Sequence, residues 1–203
     1  YNNQSLLATG CYEAEDSGIT RMGREVIAEM NRLGIIIDMS HSAEMSTLQA
    51  IELSSRPIAV SHANPNFWHN TKRNKSDAVL KELANSGSIL GFSIYPHHLK
   101  NGTSCTLNEF CEMIGRTADL MGGTTSLGIG SDLCQDHPDS IVEWMRNGRW
   151  TKTIDYGEGT IEKAGFPKQP EWFSRNTDFP NLEKGLQETG FSQQEIDGIL
   201  GDN

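Results

Sequence analysis

The 203-residue chain is acidic, with 27 Asp and Glu against 17 Lys and Arg, a net charge of −10 and a pI near 5.0. That balance excludes a surface built for nucleic acid or an anionic membrane, since like charges repel and no Lys/Arg stripe offsets them. No run approaches the roughly 20 apolar residues of a membrane span, and the four cysteines (Cys11, Cys105, Cys111, Cys134) lack CxxC spacing, which argues for reduced thiols rather than a structural zinc knot.

Thr20 is placed to cap a helix over 21–33, in which Met22, Val26, Ile27, Met30 and Leu33 recur at helical spacing. The run "GIIIDMSH" (34–41) follows. It is short, β-branched and apolar, and predicts a strand over 34–39 buried on both faces. A helix over 43–54 leads to a second strand at 57–61 in "PIAVSH", which repeats the ending of the first. Ser76 or Asp77 starts a helix to about 86, and "SILGFSIY" (88–95) reads as a third strand. Thr106-x-x-Glu109 is a capping box for a helix to about 121, and "SLGIGS" (126–131) is a fourth strand that lands on Asp132. A long excursion over 142–180, rich in Gly, Pro, Trp and charge, breaks the rhythm; it reads as a lid, a dimer contact or a covering of the sheet. Helices resume at about 180–190, and Ser192-x-x-Glu195 caps the last. Strand and helix in alternation, with buried strands, predict parallel βαβ units in an α/β fold.

In such a fold the working residues collect at the carboxyl ends of strands. His41, His62 and Asp132 all fall there. Each histidine alone is a strand-end hydrogen-bonding residue or a metal ligand. Three strand ends with imidazole or carboxylate favour an open hydrolytic metal site, which needs those donors and a position for water. Asp38, inside the first strand, is expected to support the site or the strand. His97 and His98, after Tyr95, lie in a loop where they either touch substrate or meet solvent, and Cys134 has no base beside it. Arg73, in "HNTKRNKSD", is either a surface arginine near a helix start or a bidentate holder of a substrate carboxylate.

At "GITRMGREVIAEMNRLGIIIDMSH", "RPIAVSHANPNFWHNTKRN" and "SLGIGSD" the sequence resembles the membrane (renal) dipeptidase family of zinc peptidases, family M19, and the similarity runs on into "FPNLEKGLQETGFSQQEIDGILGDN". The resemblance implies a (β/α)₈ TIM barrel of the metal-dependent hydrolase type with two Zn²⁺ ions, hydrolysing dipeptides. It implies that His41 and His62 bind one zinc from the fifth and sixth strands. Asp132, after the eighth, would bind the other and act as the acid/base. Arg73 would bind the substrate near its carboxylate. Tyr1 aligns with a substrate-contacting position after the fourth strand, and His98 is a further candidate contact. The family's H-x-D motif and bridging glutamate have no counterpart in the chain.

A barrel of this kind needs about 250 residues. The expectation is therefore that 1–203 is the C-terminal part of one barrel domain, carrying strands 5–8 and inactive alone. A homodimer follows from the resemblance; a soluble protein of the cytoplasm or periplasm is the expectation for compartment. Two rivals stand beside the dipeptidase: an amidohydrolase acting on a non-peptide amide or lactam, and a metal-free barrel serving as a scaffold.

Overall fold

The structure, a computed structural model, describes residues 2–146 and 165–203. Helix α1 spans Arg21–Leu33; the Thr20 hydroxyl accepts from Gly23 N–H, and Gly34, at φ 73°, ends the helix in the left-handed region that glycine enters freely. Helices α2 (Glu44–Leu53), α3 (Asp77–Asn85) and α4 (Leu107–Met121) follow, alternating with strands β1 (Ala59–Val60), β2 (Ile89–Phe92) and β3 (Leu127–Ile129). The three strands form one parallel sheet in the order β1-β2-β3, Val60 opposite Leu90 and Leu90 opposite Leu127. Among the described residues no helix is long and apolar enough to cross a membrane.

The capping box predicted at Thr106 and Glu109 is present, as is that at Ser192 and Glu195, which opens α7 (Gln193–Asp197). Short polar signals of this kind work because they satisfy the orphan N–H groups of a helix's first turn from within four residues. The core lies where α3 and α4 meet the sheet: Leu80, Leu83, Leu90, Phe92, Phe110 and Ile114 are fully buried. Helix α5 (Asp139–Arg146) runs into the excursion, whose residues 147–164 lie outside the described residues. The last part of the excursion returns to the core. Phe173 is buried, Trp172 donates its indole N–H to the Cys105 carbonyl at 2.8 Å, and both precede α6 (Phe179–Glu188).

The first expected strand needs correction. Residues 37–39 pair with β1 through Met39 N–H to Ala59 O (2.8 Å) and Ala59 N–H to Ile37 O (2.9 Å), but they form only an isolated bridge at Asp38. Ile37 and Met39 are buried, while Ile35 is 51% and Ile36 73% exposed. Burial on both faces requires a layer on each side. Among the described residues this segment is the sheet's edge, and α1 leaves Met22 and Leu33 exposed as well.

Two glycines let the strand ends close on one another. A Cβ on Gly91, or one on Gly130, would collide with the Ser61 carbonyl oxygen. Gly130→Ala is therefore expected to push Ser61 and His62 away from the end of β3 and to cost about 1–3 kcal/mol, the usual penalty of overpacking. A urea melt unchanged from wild type would contradict this.

Candidate metal and hydrolytic site

His41 and His62 follow directly on the pairing of the edge segment with β1, and their rings meet edge to face, with centroids 5.0 Å apart. Their Nε2 atoms lie 2.9 Å from each other. The other nitrogen of each ring decides what that means. His41 Nδ1 lies 2.6 Å from Asn2 Oδ1. An amide oxygen only accepts, so Nδ1 carries the proton and Nε2 a lone pair. His62 Nδ1 lies 2.8 Å from Ser61 Oγ, which itself donates to Asp38 Oδ2. With its own hydrogen committed to Asp38, Ser61 Oγ accepts from His62 Nδ1–H, so His62 Nε2 is also unprotonated. Two unprotonated ring nitrogens thus lie side by side.

Asp38 serves both histidine-bearing segments. Its Oδ1 accepts from the N–H and hydroxyl of Ser40 and from Ser61 N–H, and Ser40 Oγ accepts from His62 N–H at 3.1 Å. Partial burial raises the Asp38 carboxyl pKa, but these donors outweigh it and hold the group below its ordinary value.

Arg73 is not a surface arginine. It is 2% exposed, with Nη1 donating to Ser40 O and Nη2 reaching His62 O at 3.3 Å and His41 Nε2 at 3.2 Å. Burial, then the charge of Arg73 and the neighbouring His62, push His41 down to about 2. Burial also lowers His62, against the pull of Asp132. Both rings are neutral at neutral pH, the state in which imidazole binds a metal.

Asp132 follows β3 in a tight turn, its N–H donating to Gly130 O and its backbone at φ 57°. Burial raises its carboxyl above the ordinary value, opposed by the charges of His62 and Arg73. The structure thus sets Asp132 within electrostatic reach of His62 and Arg73. Among the described residues, however, no third His, Cys, Asp or Glu joins that pair in a metal-ligating cluster. Cys134 is half-buried and its thiol is pushed up to about 11 by burial, so it is no thiolate nucleophile.

His98 is 3% exposed, its Nδ1 2.8 Å from Ser93 Oγ and its ring against Tyr95. Tyr1 lies outside the described residues. Between the loop of Arg73 and the loop of His98 runs a cleft of about 390 Å³, whose walls include His69, Thr71, His97 and Lys100.

The model of the membrane dipeptidase family (peptidase family M19) matches residues 1–146. The chain belongs to that family. An uncharacterized dipeptidase of Schizosaccharomyces pombe is 29% identical over 118 residues, 58% of this M19 chain and 29% of the relative. An amidohydrolase from Pseudomonas aeruginosa superposes with a TM-score of 0.89 at 32% identity, over all of this chain and 60% of that one. A metallo peptidase from Rhodobacter sphaeroides, solved with a phosphinate mimic of L-Ala-D-Ala, shares the fold at 18% identity and a TM-score of 0.75, over all of this chain and 51% of that one. The chain thus spans less than two thirds of the length of each.

Residue reasoning passed over Asn2, Ser40, Ser61 and Lys75. The two serines carried a signal, since each stands immediately before a histidine in the repeated strand ending. Asn2 carried none, because it meets His41 across 39 residues of chain.

Proposed function

We propose that the protein of which this chain forms the metal-bearing arc is a zinc-dependent dipeptidase, built on a (β/α)₈ barrel whose strands 5–8 lie here. The observation that carries the reading is the facing pair of unprotonated Nε2 atoms in an M19 chain. Tetrahedral Zn–N bonds of about 2.0–2.1 Å put two imidazole nitrogens roughly 3.3 Å apart, close to the 2.9 Å between His41 and His62. The outward nitrogens are held by an amide oxygen and by a carboxylate-backed hydroxyl, the support that metal-binding histidines require. Asp132 is the ligand proposed for a second zinc.

Zinc bound there supplies a lowered pKa for a coordinated water and polarises the scissile carbonyl. The chain's own residues do the rest. Asp132 takes the proton released as the C–O bond forms and returns it to the leaving amine as the C–N bond breaks; its raised pKa suits both transfers. Arg73 orients the substrate through its free carboxylate, which restricts cleavage to short substrates. His98, beside Tyr95, and Tyr1 are the further substrate contacts proposed.

The test is a substrate panel on the whole protein. L,L- and L,D-dipeptides are expected to be hydrolysed, and their C-terminal carboxamides at least about 10²-fold more slowly in kcat/KM, equivalent to about 2.7 kcal/mol for a lost charge-assisted pair. Equal rates on acids and amides would remove Arg73 from its role. The relative named an amidohydrolase supports a second reading, hydrolysis of a non-peptide amide or lactam. Turnover of acylated amides or lactams with inert dipeptides would establish it instead.

A further inference from the structure

Lys75 is 3% exposed and, among the described residues, forms no ion pair. Burying an ammonium without a carboxylate is costly, so what it bonds to matters. Its Nζ donates to Met39 O at 3.0 Å and to Ser42 O at 2.9 Å, the carbonyls on either side of Ser40-His41. Arg73 takes the Ser40 carbonyl, and Cys11 N–H takes that of His41 at 2.9 Å. Every carbonyl from Met39 to Ser42 therefore accepts a hydrogen bond from a group outside that turn.

The backbone of Lys75 is fixed at the other histidine. Its N–H donates to Asn64 O and its carbonyl accepts from Asn66 N–H, both at 2.8 Å, in a bridge with Pro65 just beyond His62. Asn64 in turn donates to Ser93 O. One side chain thus ties the turn that carries His41 to the backbone that follows His62.

We propose that Lys75 is a positioning residue that sets the spacing of the His41 and His62 Nε2 atoms, and so the affinity of the metal they share. The inference rests on the reading of those histidines as ligands. Burial, with the charge of Arg73, pushes Lys75 down to about 7. The neutral amine still has two N–H bonds for its two carbonyls, so the clamp holds on both sides of neutrality.

Co²⁺ serves as the probe, bound to the whole protein and followed by its visible absorption and by chelator competition. Lys75→Met, which keeps length and loses both donors, is expected to weaken Co²⁺ binding 10- to 100-fold, the scale of losing a support behind a metal ligand, and to shift the visible bands. Lys75→Gln, with an amide N–H₂ on a shorter arm, is expected to recover part of both. A Kd within threefold of wild type and an unchanged spectrum in folded Lys75→Met, with only the melting temperature lowered, would overturn the proposal, and so would Lys75→Gln binding Co²⁺ no better than Lys75→Met. His41→Ala separates the two readings. If it binds Co²⁺ as wild type does, the histidine assignment itself fails, whatever the Lys75 variants do.

Discussion

Asp132→Asn is expected to lower kcat for dipeptides by about 10²–10⁴-fold in the whole protein, with KM moved far less, the range that general acid–base groups contribute. The substitution is unusually clean at this position. Asp132 sits at φ 57°, where most side chains are strained, but asparagine tolerates that region at least as well as aspartate. The backbone turn closed by the Asp132 N–H on Gly130 O is then retained, and what is lost is the carboxylate's ability to take and return a proton, together with the anionic donor proposed for a second zinc. Alanine would mix that loss with backbone strain. Steady-state kinetics on one good dipeptide decides the matter: activity within about tenfold of wild type would mean that Asp132 does not carry the proton.

His62→Ala should cost more than 10²-fold in metal affinity, and Ser61→Ala about 10- to 100-fold, because ligand loss exceeds loss of the group that orients the ligand. Ser61 holds the proton on Nδ1 of His62 and is itself held by Asp38. Without it the imidazole is free to turn and to protonate Nε2, which removes the lone pair from the site. The measurement is zinc content after dialysis against graded chelator. The ordering wild type, Ser61→Ala, His62→Ala is the expected result; zinc retained equally by all three would remove His62 from the site. The same ordering in kcat/KM, with metal added back in excess and Ser61→Ala partly rescued, would trace the defect to affinity rather than to chemistry.

What could be read from the residues divides along the range of the interaction. The starts of α1 and α4 were legible because Thr20 and the Thr106–Glu109 pair act on backbone groups a few residues away. The strands were legible in place and type but ran shorter than expected, since ladder length depends on what lies alongside. Ile35 and Ile36 looked like core from their chemistry, yet whether an apolar residue is covered is decided by a neighbouring layer and not by the residue. At the site, His41, His62 and Asp132 stood out because strand ends are where a parallel fold gathers its chemistry. Arg73 was recognised but not its burial, and Lys75, two residues on, resembled any lysine beside a helix start. Its buried position between two carbonyls follows from a contact across 33 and 36 residues that no local pattern records.

The carboxylate of Asp38 has a further consequence for assembly. Strand β1 has only two ladder pairs with β2 and a single bridge to the edge segment, too few to specify alignment strongly by hydrogen bonding alone. A slip of one residue in any strand turns every side chain to the opposite face. Here a slip would send His62 to the wrong side of the sheet, and it would also strip Asp38 of Ser61 while leaving Ser40 in place. The carboxylate thus works as an alignment pin, rewarding the one pairing in which both imidazoles point to the same side. Correct threading of the sheet and the meeting of His41 with His62 thus become a single event, so a misaligned chain would lack the facing imidazoles on which the proposed metal site depends.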